Sequence, residues 1–243
     1  MSTWELAVFV AFTSTFAAIV GQGGGLMLMP ALAGTIAPSH LIPVHGFIQA
    51  VSTGSRAITN WRNVQWTFFV PILIGCGIGS LAAWPLINVI NWQWMQSLIG
   101  ILIIWLTWSK SIEKYFERLN GKPHSLTVLG AVQGGSGVLV GATGPLGSAL
   151  LIRLGLKPEA IIATNGLIMF ITHILKTGLF LLAGMSIWHY GELLIYASAA
   201  AILGTLIGNR LRQYIQAKYL THLLKAVITI LAIRMTLLPI LNE

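Results

Sequence analysis

Long apolar runs separated by short polar links dominate the chain, and their lengths predict helices that cross a membrane. The pattern contains about eight hydrophobic elements, near 4–34, 40–60, 64–88, 92–109, 125–155, 158–182, 189–209 and 219–240. Five of them, the third, fourth, sixth, seventh and eighth, are unbroken and long enough for a helix of roughly 20 residues to cross about 30 Å of hydrocarbon. We therefore predict an all-α integral membrane protein with no soluble domain.

The second half of the chain repeats the first at an offset of about 120 residues. The aligned pairs are Gly21 with Gly141, Gly24 with Gly144, Pro38 with Pro158, Gly46 with Gly166, and Arg56 with Lys176. This alignment predicts a single transmembrane domain made of two membrane repeats, residues 1–120 and 121–243. It also puts one cation at the same point of each copy.

The first and fifth elements are interrupted by glycine at about mid-depth. The interruption is Gly21–Gly25 in the first element, and in the fifth it is Gly134–Gly137 followed by Gly141–Pro145. Glycine and proline release the backbone from helical geometry. Irregular backbone persists inside a bilayer only where protein or a watery cavity satisfies its polar groups. We therefore predict two broken elements that face other protein or a cavity.

Two further glycine patterns are typical of close helix packing. They are Gly75-x-Gly77-x-Gly79 and Gly204-x-x-x-Gly208. Small residues at such spacing let two helix backbones approach each other closely. We expect both stretches to lie at contacts between helices.

Composition agrees with a membrane protein and changes how the basic residues are interpreted. Hydrophobic residues make up 56% of the chain and charged residues 8%, whereas charged residues are roughly 25% of a soluble domain. The net charge of +8 is therefore a topology signal at the membrane edges, and we expect no nucleic-acid partner. The single cysteine, Cys76, excludes an internal disulfide and a cysteine metal cluster. Met1–Glu5 lacks the basic start of a cleavable signal peptide, so we expect the first stretch to remain.

The basic residues indicate how the broken elements cross the membrane. If all eight elements crossed, the basic links 110–122 and 210–218 would face opposite sides, although lysine and arginine favour the cytoplasmic side. If the first and fifth elements instead dip in and return as re-entrant hairpins, both links, the link 153–157, Arg56 and Arg62 all face the cytoplasm. Eight full crossings with an imperfect charge bias remain the alternative.

Re-entrant hairpins leave three true crossings in each repeat. Because three is an odd number, the two repeats would be inverted about an axis in the membrane plane. Inverted repeats with broken helices are the architecture of many secondary transporters. The same topology predicts that Met1 and Glu243 both lie outside the cell.

The residues around the two breaks resemble those of a known family. Gly21–Gly25 and Pro30 precede a helix that contains His45-Gly46, and Gly141–Pro145 with Asn165-Gly166 forms a degenerate second copy. Over essentially the whole chain, this pattern resembles the sulfite exporter TauE/SafE family. Its members are compact inner-membrane proteins of bacteria and archaea, with relatives in plants, and are associated with export or uptake of sulfite, organosulfonates and related sulfur oxyanions.

The resemblance implies a multi-pass protein of the bacterial inner membrane that moves a sulfur oxyanion or an organosulfonate. We expect a secondary transporter, working as an exporter by alternating access around a central anion site. Its expected partners are the lipid bilayer and the small anion, with no cofactor or metal, and a homodimer is left open. An anion channel or a non-transporting anion sensor on the same scaffold is the alternative. An enzyme is not expected, because the sequence places no Ser–His–acid set, paired carboxylates or histidine-rich metal cluster inside the membrane.

The starts of the half-helices after the two breaks predict where the anion binds. Free backbone N–H groups and the positive end of the helix dipole bind anions at such places, so we expect the two breaks to face each other near the midplane. The predicted substrate-binding residues are Gln22, Gly23, Gly24, Gly25, His45, Arg56, Thr143, Gly144, Asn165 and Lys176. Pro145 replaces Gly25 and Leu150 replaces Pro30 in the second copy, which leaves the equivalence of the two half-sites open.

The two matched cations are predicted to supply positive charge to this site. Arginine offers a planar fork to two oxygens, whereas lysine is a compact point charge. An ionisable residue inside the membrane indicates a functional site. The alternatives are that Arg56 extends to the cytoplasmic surface beside Arg62, and that Lys176, roughly 27 Å along a helix from Pro158, extends outward.

Two histidines are candidates for coupling the anion to proton movement. His45 and His173 lie inside the second and sixth elements, and histidine changes its charge near physiological pH. The chain has no aspartate, and its six glutamates lie at ends or in links, so a carboxylate site for sodium or protons is not expected. A packing role for each histidine is the alternative. His45 aligns with Asn165, which predicts a shared polar position beside the substrate.

Overall fold

The structure is a computed structural model that describes residues 2–109, 122–215 and 217–241. All regular elements in these residues are helical, as the apolar runs predicted. The α-helices are α1 (Thr3–Val20), α2 (Gly24–Leu32), α3 (Pro38–Thr59), α4 (Trp66–Ala83), α5 (Trp92–Trp108), α6 (Pro123–Val140), α7 (Gly144–Arg153), α8 (Pro158–Leu182), α9 (Gly191–Leu211) and α10 (Ala217–Leu241). Short 3₁₀ helices cover Trp61–Asn63, Trp84–Asn88 and Trp188–Tyr190.

Five helical segments are long and apolar enough to cross a membrane. They are Thr3–Val20, Trp66–Asn88, Pro158–Leu182, Trp188–Leu211 and His222–Pro239. Large apolar side chains on these segments point away from the protein interior; Val8, Ile195 and Ile230, for example, are each more than two thirds exposed. In water such a surface would be unfavourable, whereas hydrocarbon solvates it. Four of these segments match unbroken apolar runs in the sequence. The remaining one, Thr3–Val20, is the first arm of a broken element.

The first arm of each broken element ends at a glycine in the left-handed conformation. Gly21 has a φ of +88° and its N–H donates to the carbonyl of Ala17 at 2.9 Å. Gly141 has a φ of +85° and its N–H donates to the carbonyl of Gly137 at 3.0 Å. Only glycine adopts this conformation readily, and it ends a helix. Three residues then separate each first arm from the short helix that follows, α2 or α7.

The stretch Gly134–Gly137 does not interrupt the fifth element, so this part of the predicted break is wrong. These residues lie inside α6, and they pack against α4. A Cβ at Gly134 would overlap the carbonyl oxygen of Cys76, and a Cβ at Gly135 would lie 3.2 Å from the carbonyl oxygen of Gly79. The glycines there let two helix backbones approach each other. The sequence alone does not distinguish glycines with this packing role from glycines that interrupt a helix.

The glycine patterns predicted for helix packing lie at two such contacts. Gly75 and Gly79 of α4 meet the backbone of α6 at Thr127 and Ala131. Gly204 of α9 meets the backbone of α1 at Ala11, and Gly208 meets it at Thr15. The prediction is wrong for Gly77, because a Cβ added at this residue would meet no atom within 4 Å.

The helices pack in four principal pairs, α1 with α9, α4 with α6, α3 with α8, and α5 with α10. The register of the glycine contacts makes α1 parallel to α9, and α4 parallel to α6. The pair α3 and α8 is antiparallel, because Gly46 lies beside Thr177 and Gly54 lies beside Phe170. This central pair carries most of the buried polar side chains.

The short helix α2 folds back towards the end of the bundle where α1 begins. Gly24 packs against Ala17 and Thr13 of α1, so the chain reverses after the break. Trp4 stacks on Tyr196 near the start of α9, with ring centroids 4.4 Å apart. Beyond α2, the N–H of Ala37 donates to the hydroxyl of Tyr190, which immediately precedes α9, at 3.2 Å. The α1–α2 element therefore starts and finishes near the beginning of α9.

Candidate functional site

The two breaks open onto one small central cavity of about 30 Å³. This is room for roughly two water molecules, since one requires about 10–15 Å³ on the same measure. The predicted site residues that line the cavity are Gln22, Gly23, Gly24, Gly25, His45, Arg56, Thr143, Gly144 and Asn165. His173 lines it as well, whereas Lys176 does not. Nine of the ten predicted substrate-binding residues are therefore brought together around one space.

The starts of α2 and α7 both face this cavity. The residues before them, Gly23 and Thr143, cap neither helix start with a side-chain hydrogen bond. The first N–H groups of a helix have no partner within the helix, and the helix dipole adds partial positive charge at this end. The cavity therefore lies between two helix starts that attract negative charge.

Arg56 reaches the cavity from the last turn of α3. Its side chain is 6% exposed, and Nη1 donates to the carbonyl of Ala17, in the last turn of α1, at 3.0 Å. Its Nε is buried and has no partner among the described residues. The guanidinium thus lies inside the protein and does not extend to the cytoplasmic surface beside Arg62.

Lys176 lies at the matching place in α8 but behind the end of α6. Its side chain is 1% exposed, and Nζ donates to the carbonyl of Gly141 at 2.9 Å. The ammonium therefore does not extend outward. Both matched cations bind a carbonyl at the carboxyl end of a first arm, where the helix dipole is negative. Direct contact of Lys176 with the substrate stays a prediction.

Two histidine rings lie next to each other at the cavity wall. The Nε2 of His45 is 3.1 Å from the carbonyl oxygen of Gly25, and because a carbonyl only accepts, Nε2 donates. The ring of His173 is edge-on to that of His45, with centroids 5.9 Å apart. The Nδ1 atom of each ring is buried without a partner among the described residues. A role in coupling stays a prediction for both.

Asn165 occupies the position in α8 that His45 occupies in α3. Its Nδ2 donates to the hydroxyl of Ser148 at 2.8 Å and to the carbonyl of Gly144 at 3.2 Å. His45 and Asn165 therefore each hold a carbonyl near the start of the short helix in their own half. The Oδ1 of Asn165 is buried and has no hydrogen-bond partner in the part of the chain that the structure describes.

Gln49, Thr53 and Met169 are among the cavity residues that the sequence analysis missed. They belong to a stripe along one face of each central helix. The α3 stripe is His45, Gln49, Thr53 and Arg56, and the α8 stripe, at an offset of 120 residues, is Asn165, Met169, His173 and Lys176. Residues spaced by three and four lie on one face of a helix. This spacing, applied to the predicted His45 and Arg56, is the signal that would have found them.

Comparison with known proteins gives a family match along nearly the whole chain. Residues 6–235 match the family model described as Sulfite exporter TauE/SafE. Over 161 residues the chain is 27% identical to a protein of Comamonas testosteroni named "Probable inner membrane transporter protein TsaS". That match covers 64% of this chain and 66% of the relative, just under two thirds of its length. No solved structure matches the chain. Together with the helices of membrane-spanning length, the matches confirm the prediction of a multi-pass membrane protein.

Proposed function

Because the chain belongs to the sulfite exporter TauE/SafE family, we propose that it is a secondary transporter of the bacterial inner membrane that moves sulfite or a related sulfur oxyanion. The relative named as an inner membrane transporter supports the transport role and the location. The observation that carries the proposal is the cavity between the starts of α2 and α7, with Arg56 in its wall. Alternating access around this cavity is part of the proposal.

The charges around the cavity favour a negative ligand. Arg56 is buried with a carbonyl as its side-chain partner, and a buried charge without a counter-charge is costly. None of the described residues that line the cavity is an aspartate or a glutamate. An oxyanion would accept from the free Nε of Arg56 and from the N–H groups at the two helix starts, and its charge would offset that of Arg56.

The size of the cavity favours a compact substrate. About 30 Å³ accommodates a ligand on the scale of a few water molecules rather than a long organic chain. Among the substrates of the family, sulfite fits this description better than a large organosulfonate. We therefore rank sulfite first as substrate.

The pairing of the helices supports two inverted repeats, residues 1–120 and 121–243. Helices α1 to α5 of the first half correspond to α6 to α10 of the second. When the two halves are exchanged, the pair α1–α9 becomes the pair α6–α4, and the pairs α3–α8 and α5–α10 stay the same. The set of four principal pairs is therefore unchanged. The return of the α1–α2 element to the end where it began supports a re-entrant first element. Leu126 near the start of α6 and Leu151 near the end of α7 share one apolar cluster, which supports the same for the fifth.

The positions of the basic residues support a cytoplasmic assignment for one end of the bundle. Asn209, near the end of α9, donates to the hydroxyl of Thr59 at the end of α3 at 2.9 Å. One cavity is lined by residues of this region, of the end of α7 and of the start of α8. The described basic residues in these connections are Arg62, Arg153, Lys157, Arg210 and Arg212, and lysine and arginine favour the cytoplasm. The basic link at 110–121 lies outside the described residues.

Flux into proteoliposomes tests the proposal. We expect saturable uptake of labelled sulfite by the wild type, weaker uptake of a longer alkylsulfonate, and loss of sulfite uptake in Arg56→Gln. Arg62→Gln is the matched control, because Arg62 lies shortly after α3 and is exposed. Currents linear in the driving force would indicate an anion channel, and binding without flux would indicate a sensor. Equal uptake in Arg56→Gln and the wild type would contradict the site.

A further inference from the structure

A second cavity, of about 600 Å³, lies at the end of the bundle where α8 begins and α9 ends. We call it the vestibule. Gly21 and Gln22 line both the vestibule and the central cavity, and Arg212 lines the vestibule. We propose that Arg212 forms a capture site for the substrate oxyanion, which binds there before it passes Gln22 and reaches Arg56. This inference rests on the proposed function, because it assigns an approach route to the same central site.

Arg212 is held so that part of its guanidinium is left for a ligand. Its backbone N–H donates to the carbonyl of Gly208 at 2.9 Å, and Nη2 donates to the Oδ1 of Asn60 at 3.4 Å. Its Nη1 is buried and has no partner among the described residues. A buried donor without an acceptor is unfavourable, and an oxyanion is the ligand that suits the planar guanidinium. The vestibule therefore contains a positioned donor that lacks its acceptor.

Asn60 links the vestibule arginine to the helix that carries the central one. Its Nδ2 donates to the carbonyl of Arg56 at 2.9 Å while its Oδ1 accepts from Arg212. Both arginines are thus held at the same end of α3, Arg56 by its backbone and Arg212 by its guanidinium, and one lines each cavity. Gln22 lines both cavities, and its Oε1 is buried with no partner in the described ranges of the chain. An anion leaving Arg212 meets Gln22 before it meets Arg56.

Glu159 is the acidic side chain among the residues that line the vestibule. Its carboxylate opposes the charge of Arg212, so the charges of the described residues that line the vestibule sum to about zero. Binding on a transport path must be favourable enough for the ion to enter and weak enough for it to leave. A capture site with one arginine and one nearby carboxylate meets this requirement better than a cluster of cations.

At the opposite end of the bundle, the described residues show no matching overlap with the central cavity. Ile162, which lines the vestibule, packs beside Gly21; its counterpart Ile42 packs beside Gly141 in the same way but lines neither the central cavity nor the cavity at its own end. A cavity of about 420 Å³ at that end shares no lining residue with the central cavity. Arg212 should therefore act on substrate presented at the vestibule side alone.

Sided transport kinetics test the capture site. We expect Arg212→Gln to raise KM roughly tenfold for sulfite presented at the vestibule side, the scale of one lost hydrogen bond to a charged group, with kcat nearly unchanged. KM from the opposite side should not change, and kcat in that direction should fall by a similar factor, because kcat/KM is equal in the two directions for a carrier that only follows the substrate gradient. Arg210→Gln is the matched control: Arg210 lies two residues away, carries the same charge and does not line the vestibule. Equal effects of the two substitutions would assign the change to surface potential and overturn the proposal.

Chemical protection tests the site without relying on transport. Phenylglyoxal modification of detergent-solubilised protein, mapped by mass spectrometry, should reach Arg212, and sulfate should slow the reaction there but not at Arg210. Sulfate is the probe because sulfite adds to the carbonyl groups of the reagent. No reaction at Arg212, or no protection, would overturn the capture site even if wild-type flux were normal. Protection without flux of any anion would preserve the capture site and contradict the transporter.

Discussion

The turn that ends α6 makes a quantitative prediction for the substitution Gly141→Ala. Gly141 has a φ of +85°, a conformation that costs an L-residue roughly 1–2 kcal/mol. An added Cβ would also overlap the terminal methyl of Met29. This methyl is the far end of a flexible side chain, but Met29 is fully buried, so displacing it costs about 1 kcal/mol, the low end of the range for an overpacked core. We expect the substitution to lower the free energy of unfolding by about 2–3 kcal/mol, the sum of these two effects.

Two companion variants separate the backbone effect from the steric effect. Gly184 has a φ of +86°, but a Cβ there would meet no atom within 4 Å, so Gly184→Ala should cost only the roughly 1–2 kcal/mol of the backbone. Met29→Leu shortens the side chain that Gly141→Ala would strike. In a double-mutant cycle, the combination of Met29→Leu with Gly141→Ala should be less destabilising than the sum of the single substitutions.

Unfolding of the detergent-solubilised protein, followed by tryptophan fluorescence, measures these differences, and sulfite flux measured in parallel reports on function. Flux should fall in Gly141→Ala, because the Gly141 carbonyl binds Lys176 and the cavity residue Thr143 follows two residues later. If Gly141→Ala destabilises no more than Gly184→Ala, the contact with Met29 is wrong. If neither variant is destabilised, the left-handed turn itself is wrong.

Three further predictions concern other parts of the molecule. Lys176→Met should lose most of the sulfite flux with little change in unfolding temperature, because the lost hydrogen bond, about 1–3 kcal/mol, is offset by removal of a buried charge; normal flux would contradict the role of Lys176. An imposed pH gradient should change flux in the wild type but not in the double variant His45→Gln/His173→Gln, and an equal response in both would exclude histidine coupling. Gly75→Ala should destabilise the α4–α6 contact, whereas Gly77→Ala, where a Cβ meets open space, should not; equal unfolding temperatures would contradict that packing.

The sequence predicted the positions of the two breaks well, because the signal for each is local. A helix that ends at Gly21 or Gly141 needs a residue that tolerates positive φ, and the surrounding apolar run is visible without any knowledge of tertiary structure. The Gly134–Gly137 stretch was misassigned because glycine serves two purposes. It frees a backbone, or it admits another helix, and the helix it admits here lies about 60 residues earlier in the chain, as the Gly134–Cys76 contact shows.

The sequence predicted most of the polar residues that line the central cavity, but it did not predict what each of them contacts. The repeat identified Arg56 and Lys176 as matching residues, yet one lines the cavity and the other lies behind it. Where a long side chain ends depends on which carbonyl lies within its reach, and this follows from tertiary packing rather than from spacing. The sequence indicates only a topology role for Arg212, because nothing in its neighbours along the chain shows that Nη1 has no partner among the residues that the structure describes.

The two stripes that face each other across α3 and α8 differ in chemistry although they occupy the same positions. Gln49, an amide, is matched by the thioether of Met169, and the hydroxyl of Thr53 is matched by the imidazole of His173. If the two repeats exchange roles during alternating access, as proposed, identical stripes would give the two orientations equal free energies, and transport would be equally fast in both directions. Unequal stripes would give the two orientations different free energies, so saturated transport would be faster in one direction than in the other, while its equilibrium would still follow the gradients.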